Sequence, residues 1–188
     1  MTVGILGGAF DPPHNGHLEL ARSAIRHLGL ERLVVLVSDR PGHKPVELGA
    51  PIRLRLVQAA FEDVPGAEVV LDEHAYTADA LADGRFDGAY FVLGADQLAG
   101  FPGWKEPQRV LEHVRLAVGT RPGYPPERLE AVLARLERPD RVVLFGLDHP
   151  VAVSSTEIRS RARRGDPLDG LVPPQVGALI WELGLYAP

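Results

Sequence analysis

The chain has 188 residues, enough for the core of one α/β domain and too few to expect two. Its formal net charge of −5 excludes the broad positive field on which nonspecific nucleic-acid binding depends, so any anion site has to be local. Cysteine is absent, which excludes a disulfide framework, and neither a leader-like start nor a window near the roughly 18 apolar residues of a membrane span is found; the expectation is a soluble cytoplasmic protein with no membrane and no nucleic-acid partner.

Thr2–Leu6 is a short apolar run closed by glycines, and Leu18, Ala21, Ile25 and Leu28 then recur at helical spacing, so the chain opens strand, glycine turn, helix. Arg32–Val37 predicts a buried strand, Ile52–Phe61 a helix, Glu68–Leu71 a strand and Ala89–Leu93 another. Leu116–Val118 and Val142–Leu144 predict strands on either side of a helix over Glu127–Leu136. The strands are short and apolar on both faces, as in a parallel sheet covered by helices. Val176, Leu179, Ile180 and Leu183 form the stripe of a closing helix, opened by Pro173–Pro174 and stopped by Gly184. The alternation predicts one domain over 1–188, an α/β fold with a doubly wound, mainly parallel sheet and a small C-terminal helical part.

The stretch GGAFDPPHNGH, Gly7 to His17, falls between the first strand and the first helix. In an open parallel sheet ligands bind beyond the carboxyl ends of the strands, and the loop after the first strand is a favoured place. Glycine lets backbone approach a ligand, and the helix start offers unpaired N–H groups to an anion, so phosphate is the natural guest. The stretch matches neither Walker A nor the dinucleotide fingerprint, because Asp11–Pro12 stands where a third glycine would be needed. His14 and His17, three residues apart, can project from one helix face and donate to phosphate oxygens. A zinc site is the competing reading, but the intervening Asn15 and Gly16 do not fit the zinc-protease pattern, and no protein-held metal is expected.

A second constellation lies in VSSTEIRSRARRG, Val153 to Gly165. Ser154 and Glu157 form an S-x-x-E capping box, which helix initiation alone explains. The same segment also puts the hydroxyls of Ser154, Ser155 and Thr156 on exposed N–H groups with Arg159 one turn in, a second anion-binding helix start. Two such ends facing one crevice suit a triphosphate.

These residues resemble a known family. GGAFDPPHNGH is similar to the GGxFDPxHxGH signature of the HxGH nucleotidylyltransferases, and VSSTEIR to their distal ISSTxIR motif. GHKP at 42–45, AYTADAL at 75–81, FVLGADQLAGFPGWKEP at 91–107, TRPGY at 120–124 and the ending VPPQVGALIWELGLY resemble the bacterial nicotinate-nucleotide adenylyltransferases, so the likeness covers essentially the whole chain. The resemblance implies a Rossmann-like fold and transfer of AMP from ATP to nicotinate mononucleotide, with Mg²⁺ carried by the ATP phosphates; a homo-oligomer is left open. It implies that Gly7, Gly8, Ala9 and Phe10 wall the adenosine side and that His14 and His17 bind the transferring phosphate. Ser154, Ser155, Thr156 and Arg159 would hold the β and γ phosphates, with Gly94 and Asp96 at the ribose. For the acceptor it implies Lys44, Tyr76, Thr77, Trp104 and Arg121, with the Trp104 ring stacking on the pyridine. The bland alternatives are a surface-loop aromatic at Trp104 and a solvated charge at Lys44, one of only two lysines, with Lys105. Two departures, Pro41–Gly42 ahead of His43–Lys44 and Ala75 where a serine usually precedes the Tyr–Thr pair, leave nicotinamide mononucleotide as an alternative acceptor; phosphopantetheine is another, because relatives that use it share the first motif. A noncatalytic ATP or NAD sensor is the reading from another class.

Overall fold

In the computed structural model residues 1–42, 45–121 and 124–187 are described. Six parallel strands form one sheet in the order β3-β2-β1-β4-β5-β6: β1 (Val3–Gly8), β2 (Arg32–Ser38), β3 (Ala67–Asp72), β4 (Tyr90–Gly94), β5 (Arg115–Thr120) and β6 (Val142–Gly146). Strand order reverses direction between β1 and β4, which opens a crevice beyond their carboxyl ends. Gly8 and Gly94 end those two strands.

Alternation along the strands builds two cores. Leu6, Leu33, Val35 and Val37 face one side of the sheet with Leu18, Leu20, Leu56, Ile158 and Ile180, whereas Ile5, Val34, Leu36, Phe91 and Leu93 face the other with Leu98, Val110 and Leu129. The first layer holds α1 (Asn15–Leu28), α2 (Ala50–Phe61), α7 (Ser155–Arg164) and α8 (Pro174–Glu182). The second holds α3 (Thr77–Ala80), α4 (Ala95–Gly100), α5 (Pro107–His113) and α6 (Pro126–Leu133). The inner strands therefore bury both faces, the physical reason for their continuous apolar runs, while Leu71 on β3 and Leu144 on β6 are exposed at the sheet's edges.

The expected elements are present with shifted ends. α6 stops at Leu133 rather than Leu136, and α2 begins at Ala50, where Pro51 supplies the fixed φ of a first helical turn. The segment between β4 and β5 folds as α4, a 3-10 turn at Phe101–Gly103 and α5, none of which periodicity marked, because each is too short to display a repeat. No described helix is long and apolar enough to cross a membrane.

Candidate active site

The loop after β1 is packed from within. A Cβ on Gly8 would stand 3.0 Å from the Phe10 ring, so only glycine lets that ring fold back under the strand end. Phe10 takes the left-handed backbone conformation (φ 49°), is buried, and meets the His17 ring edge-on at 4.9 Å. His14 caps α1, and its N–H donates to His17 Nδ1 at 3.1 Å, which assigns the proton of neutral His17 to Nε2. The two rings stack with centroids 3.7 Å apart. Burial lowers the His14 pKa to about 4, so that ring is neutral at pH 7, and its Nδ1 is buried with no hydrogen-bond partner among the described residues. Gly16 packs tightly between the two motifs: a Cβ there would lie 3.1 Å from His14 Nδ1 and 3.2 Å from Val153.

The two motifs meet in space. Ser154 caps α7, accepting from the Glu157 N–H at 3.2 Å, so helix initiation is what its side chain does. Ser155 Oγ donates to the Pro12 carbonyl at 2.8 Å, and Arg159 Nη1 donates to the Asp11 carbonyl at the same distance. Arg159 also reaches Glu47 Oε1 through Nε (2.9 Å) and Thr156 Oγ1 through Nη2 (3.4 Å). Arg163 pairs with the other Glu47 oxygen; that bond, with help from Arg159, holds the Glu47 carboxyl below the usual carboxylate range.

Behind these groups lies a polar network that the sequence reading did not anticipate. Asp11 Oδ2 accepts the Glu47 N–H at 2.5 Å, and Oδ1 accepts the Tyr186 hydroxyl at 2.7 Å. Burial first, and then that bond to Asp11, push the Tyr186 phenol far above its ordinary pKa. Arg53 is completely buried and donates to the carbonyls of Ala9 and Ser38 (2.7 Å each), Leu48 and Asp39 (2.9 Å each), tying the motif loop to the end of β2. A signal for Arg53 existed: it shares a helix face with Leu56, Val57 and Ala60, at i+3, i+4 and i+7, where an arginine is out of place unless it is bonded on all sides. No such pattern marks Tyr186.

Beyond Gly7–Ala9 opens a cavity of about 380 Å³, walled by Leu36, Tyr76, Thr77, Phe91 and Trp104 among others. Trp104 follows the 3-10 turn and is half-buried against Phe91 (6.0 Å) and Phe101 (5.2 Å), part of a wall rather than a surface-loop ring. Tyr76 precedes α3, and the Lys105 ammonium sits 5.2 Å over its ring, paired with Asp79 at 2.8 and 3.0 Å; that pairing raises the Lys105 pKa.

Gly7, Gly8, Ala9, Tyr76, Thr77 and Trp104 thus line the cavity, while Phe10, His14, His17, Ser155 and Arg159 gather where the two motifs meet, with Ser154 and Thr156 beside them on α7. Gly94 ends β4, and its N–H donates to Gln97 Oε1 at 3.2 Å. Asp96 and Arg121 are exposed, pair with each other at 3.0 Å and do not line the cavity. Lys44 lies outside the described residues. Among the described residues no cluster of three or more His, Cys, Asp or Glu side chains is arranged to hold a metal ion.

Residues 5–161 match the family model described as cytidylyltransferase-like. A Bordetella avium protein described as "probable nicotinate-nucleotide adenylyltransferase" is 38% identical over 99% of this chain and 98% of its own length. A protein of the same description from Rubrobacter xylanophilus is 37% identical, covering 99% and 92% respectively. Among solved structures, Plasmodium falciparum nicotinic acid mononucleotide adenylyltransferase complexed with NaAD superposes with a TM-score of 0.76 over 98% of this chain and 97% of that one, at 17% identity, a likeness of fold. The chain belongs to the cytidylyltransferase-like family and, within it, to the nicotinate-nucleotide adenylyltransferases.

Proposed function

We propose that this protein transfers AMP from ATP to nicotinate mononucleotide, forming nicotinate adenine dinucleotide (deamido-NAD) and pyrophosphate, a step of NAD biosynthesis. The relatives' names support the reaction, and the observation that carries it is the junction of the two motifs: Ser155 on Pro12 and Arg159 on Asp11 set hydroxyls and a guanidinium beside the stacked histidines, next to an apolar cavity. An oxygen of the acceptor's phosphate attacks the α-phosphorus of ATP in line. A new P–O bond forms, the bond to the bridging oxygen breaks, and pyrophosphate leaves with the electron pair. No covalent protein nucleophile is needed, so the protein's work is positioning and charge stabilisation.

His17 Nε2–H and the neutral His14 ring bind the oxygens of the transferring phosphate, where charge grows in the transition state. Arg159 has three of its N–H groups on Glu47, Asp11 and Thr156, and the remaining ones, with the Thr156 hydroxyl and the backbone N–H groups of Ser155 and Thr156 at the start of α7, take the β and γ phosphates. Gly8, Ala9 and Phe10 wall the adenosine, and Gly94 with Asp96 takes the ribose. Mg²⁺ fits as a companion of the ATP phosphates and not as a caged ion, because the carboxylates at this end, Asp11 and Glu47, are already held by Tyr186, Arg159 and Arg163. When bound it screens charge on the departing pyrophosphate. Trp104 stacks on the pyridine, Tyr76 and Thr77 offer backbone to its substituent, and Arg121 and Lys44 attend the acceptor phosphate. The enzyme works in the cytoplasm, where its nucleotide substrates are.

Pyrophosphate release by the purified protein with ATP and Mg²⁺, compared across nicotinate mononucleotide, nicotinamide mononucleotide and phosphopantetheine with chromatographic identification of product, tests the reading. Preference for nicotinate mononucleotide supports it; preference for another acceptor overturns the substrate assignment; turnover with none makes the fold a nucleotide sensor.

A further inference from the structure

We propose that His74, held by Asp72, is a specificity-determining residue that selects a carboxylate over a carboxamide on the acceptor's pyridine ring; the proposal rests on the acceptor assignment made above. Asp72 is the last residue of β3 and His74 lies in the link to α3; both line the cavity that Tyr76, Thr77 and Trp104 also line. Asp72 is 8% exposed, and its Oδ1 accepts from His74 Nδ1 at 2.8 Å and from the His74 N–H at 3.2 Å. The segment is tied down further by the Asp39 N–H, which donates to the Asp72 carbonyl at 2.8 Å, and by the Ser38 hydroxyl, which donates to the His74 carbonyl at 3.4 Å. The imidazole is therefore oriented by its neighbours, with Nδ1 protonated and Nε2 as its second polar edge.

The chemistry follows from what each pyridine substituent offers. A carboxylate only accepts hydrogen bonds, whereas a carboxamide both donates and accepts. Through Nδ1–H the ring covers Asp72 Oδ1, so that oxygen is occupied and is not presented to the incoming substituent. Without the ring, Asp72 is a nearly buried anion on the cavity wall, which repels nicotinate and accepts from the NH₂ of nicotinamide. His74 converts that wall from one that selects against the acid into one that selects for it. Lys105, which also lines the cavity, is already paired with Asp79, so the covering of Asp72 falls to His74.

The test is kcat/KM for nicotinate and nicotinamide mononucleotides, with the KM for ATP, in wild-type protein, His74→Gln, His74→Lys and the double variant His74→Gln/Asp72→Asn. His74→Gln is expected to lower the nicotinate-to-nicotinamide ratio roughly 10- to 100-fold while leaving the KM for ATP unchanged. His74→Lys, which keeps a donor against Asp72, recovers most of the ratio, and the double variant recovers part of it by removing the uncovered charge. Equal losses with both acceptors in His74→Gln, or an unchanged ratio, overturn the proposal. Should His74→Gln fail to fold, His74→Ala carries the same comparison with the same expected fall, and a ratio unmoved in it overturns the proposal too. Wild-type turnover with nicotinate mononucleotide stands or falls separately, so failure of the acceptor assignment is seen before any variant is read.

Discussion

At the proposed phosphate end of the cleft the groups are fixed from behind, by Arg53 on four carbonyls and by Asp11 between Tyr186 and Glu47; at the proposed acceptor end the cavity-lining Lys105 is exposed and pairs with Asp79. Buried polar bonds hold a group to one geometry, which phosphoryl transfer rewards. Exposed ion pairs contribute little to stability and rearrange readily, which suits a site that must admit a second substrate. On the proposed function, the phosphate end is built for the chemistry and the acceptor end for selection. Variants at the two ends should fail differently.

The largest effect belongs to His17. Its ring is fixed by the His14 N–H and by the edge of Phe10, and it addresses charge that exists only in the transition state. His17→Ala is expected to reduce kcat by about 10² to 10³ with little change in ATP affinity, the loss typical of one oxyanion-type donor. Equilibrium ATP binding alongside single-turnover rates checks the split. Equal losses in both would make the histidine a binding group and erase the contrast between the two ends.

Next is Arg53, which lies outside the chemistry and inside the scaffold. Arg53→Met keeps bulk on α2 but leaves four buried carbonyls without their donor, at a cost of about 3 kcal/mol or more, read from the urea midpoint. Loss of activity should accompany it, because the Ala9 carbonyl belongs to the catalytic loop. A variant as stable as wild type would show that the loop holds itself.

His14 gives the phosphate end a pH signature. Its pKa is 6.5 unfolded and about 4 folded, lowered by burial, so between those values the unfolded chain binds more protons. Stability from this group is complete above pH 6.5 and is lost as pH falls toward 4, by about 3 kcal/mol at most. In His14→Gln that part of the acid slope disappears, which denaturant midpoints at several pH values will measure. The stacked pair also predicts that a bound phosphate blunts the slope, since an anion favours the charged ring.

The two ends also differ in how far the amino-acid order reveals them. The phosphate end is carried by two contiguous stretches, 7–17 and 153–159, in which glycines, histidines and hydroxyls occur at spacings that local geometry alone makes meaningful. The sheet was legible for the same reason: a strand covered on both faces is an unbroken apolar run. The acceptor cavity draws on β1, β2, β3, α3, β4 and the turn before Trp104, so its walls become neighbours only when the sheet forms. The supporting network is harder still, because Tyr186 and Asp11 are 175 positions apart and nothing near either one marks the partner. Arg53 was readable as a charge on an apolar helix face, though what it bonds was not.

The smallest effect is the one that tests the acceptor end directly. Trp104 touches Phe91 and Phe101 with one part of its ring and lines the cavity with another. Stacking on the pyridine is worth about 1 kcal/mol beyond area, so Trp104→Leu, which keeps apolar contact with both phenylalanines, should raise the KM for the mononucleotide roughly five- to tenfold. The KM for ATP and kcat should stay near wild type, because the histidines and Arg159 are supported by α1, α2 and the C-terminal Tyr186 rather than by this wall. A fall in kcat matching the rise in KM would mean that the wall positions the acceptor phosphate for attack. The division between an end that reacts and an end that selects would then have to be given up.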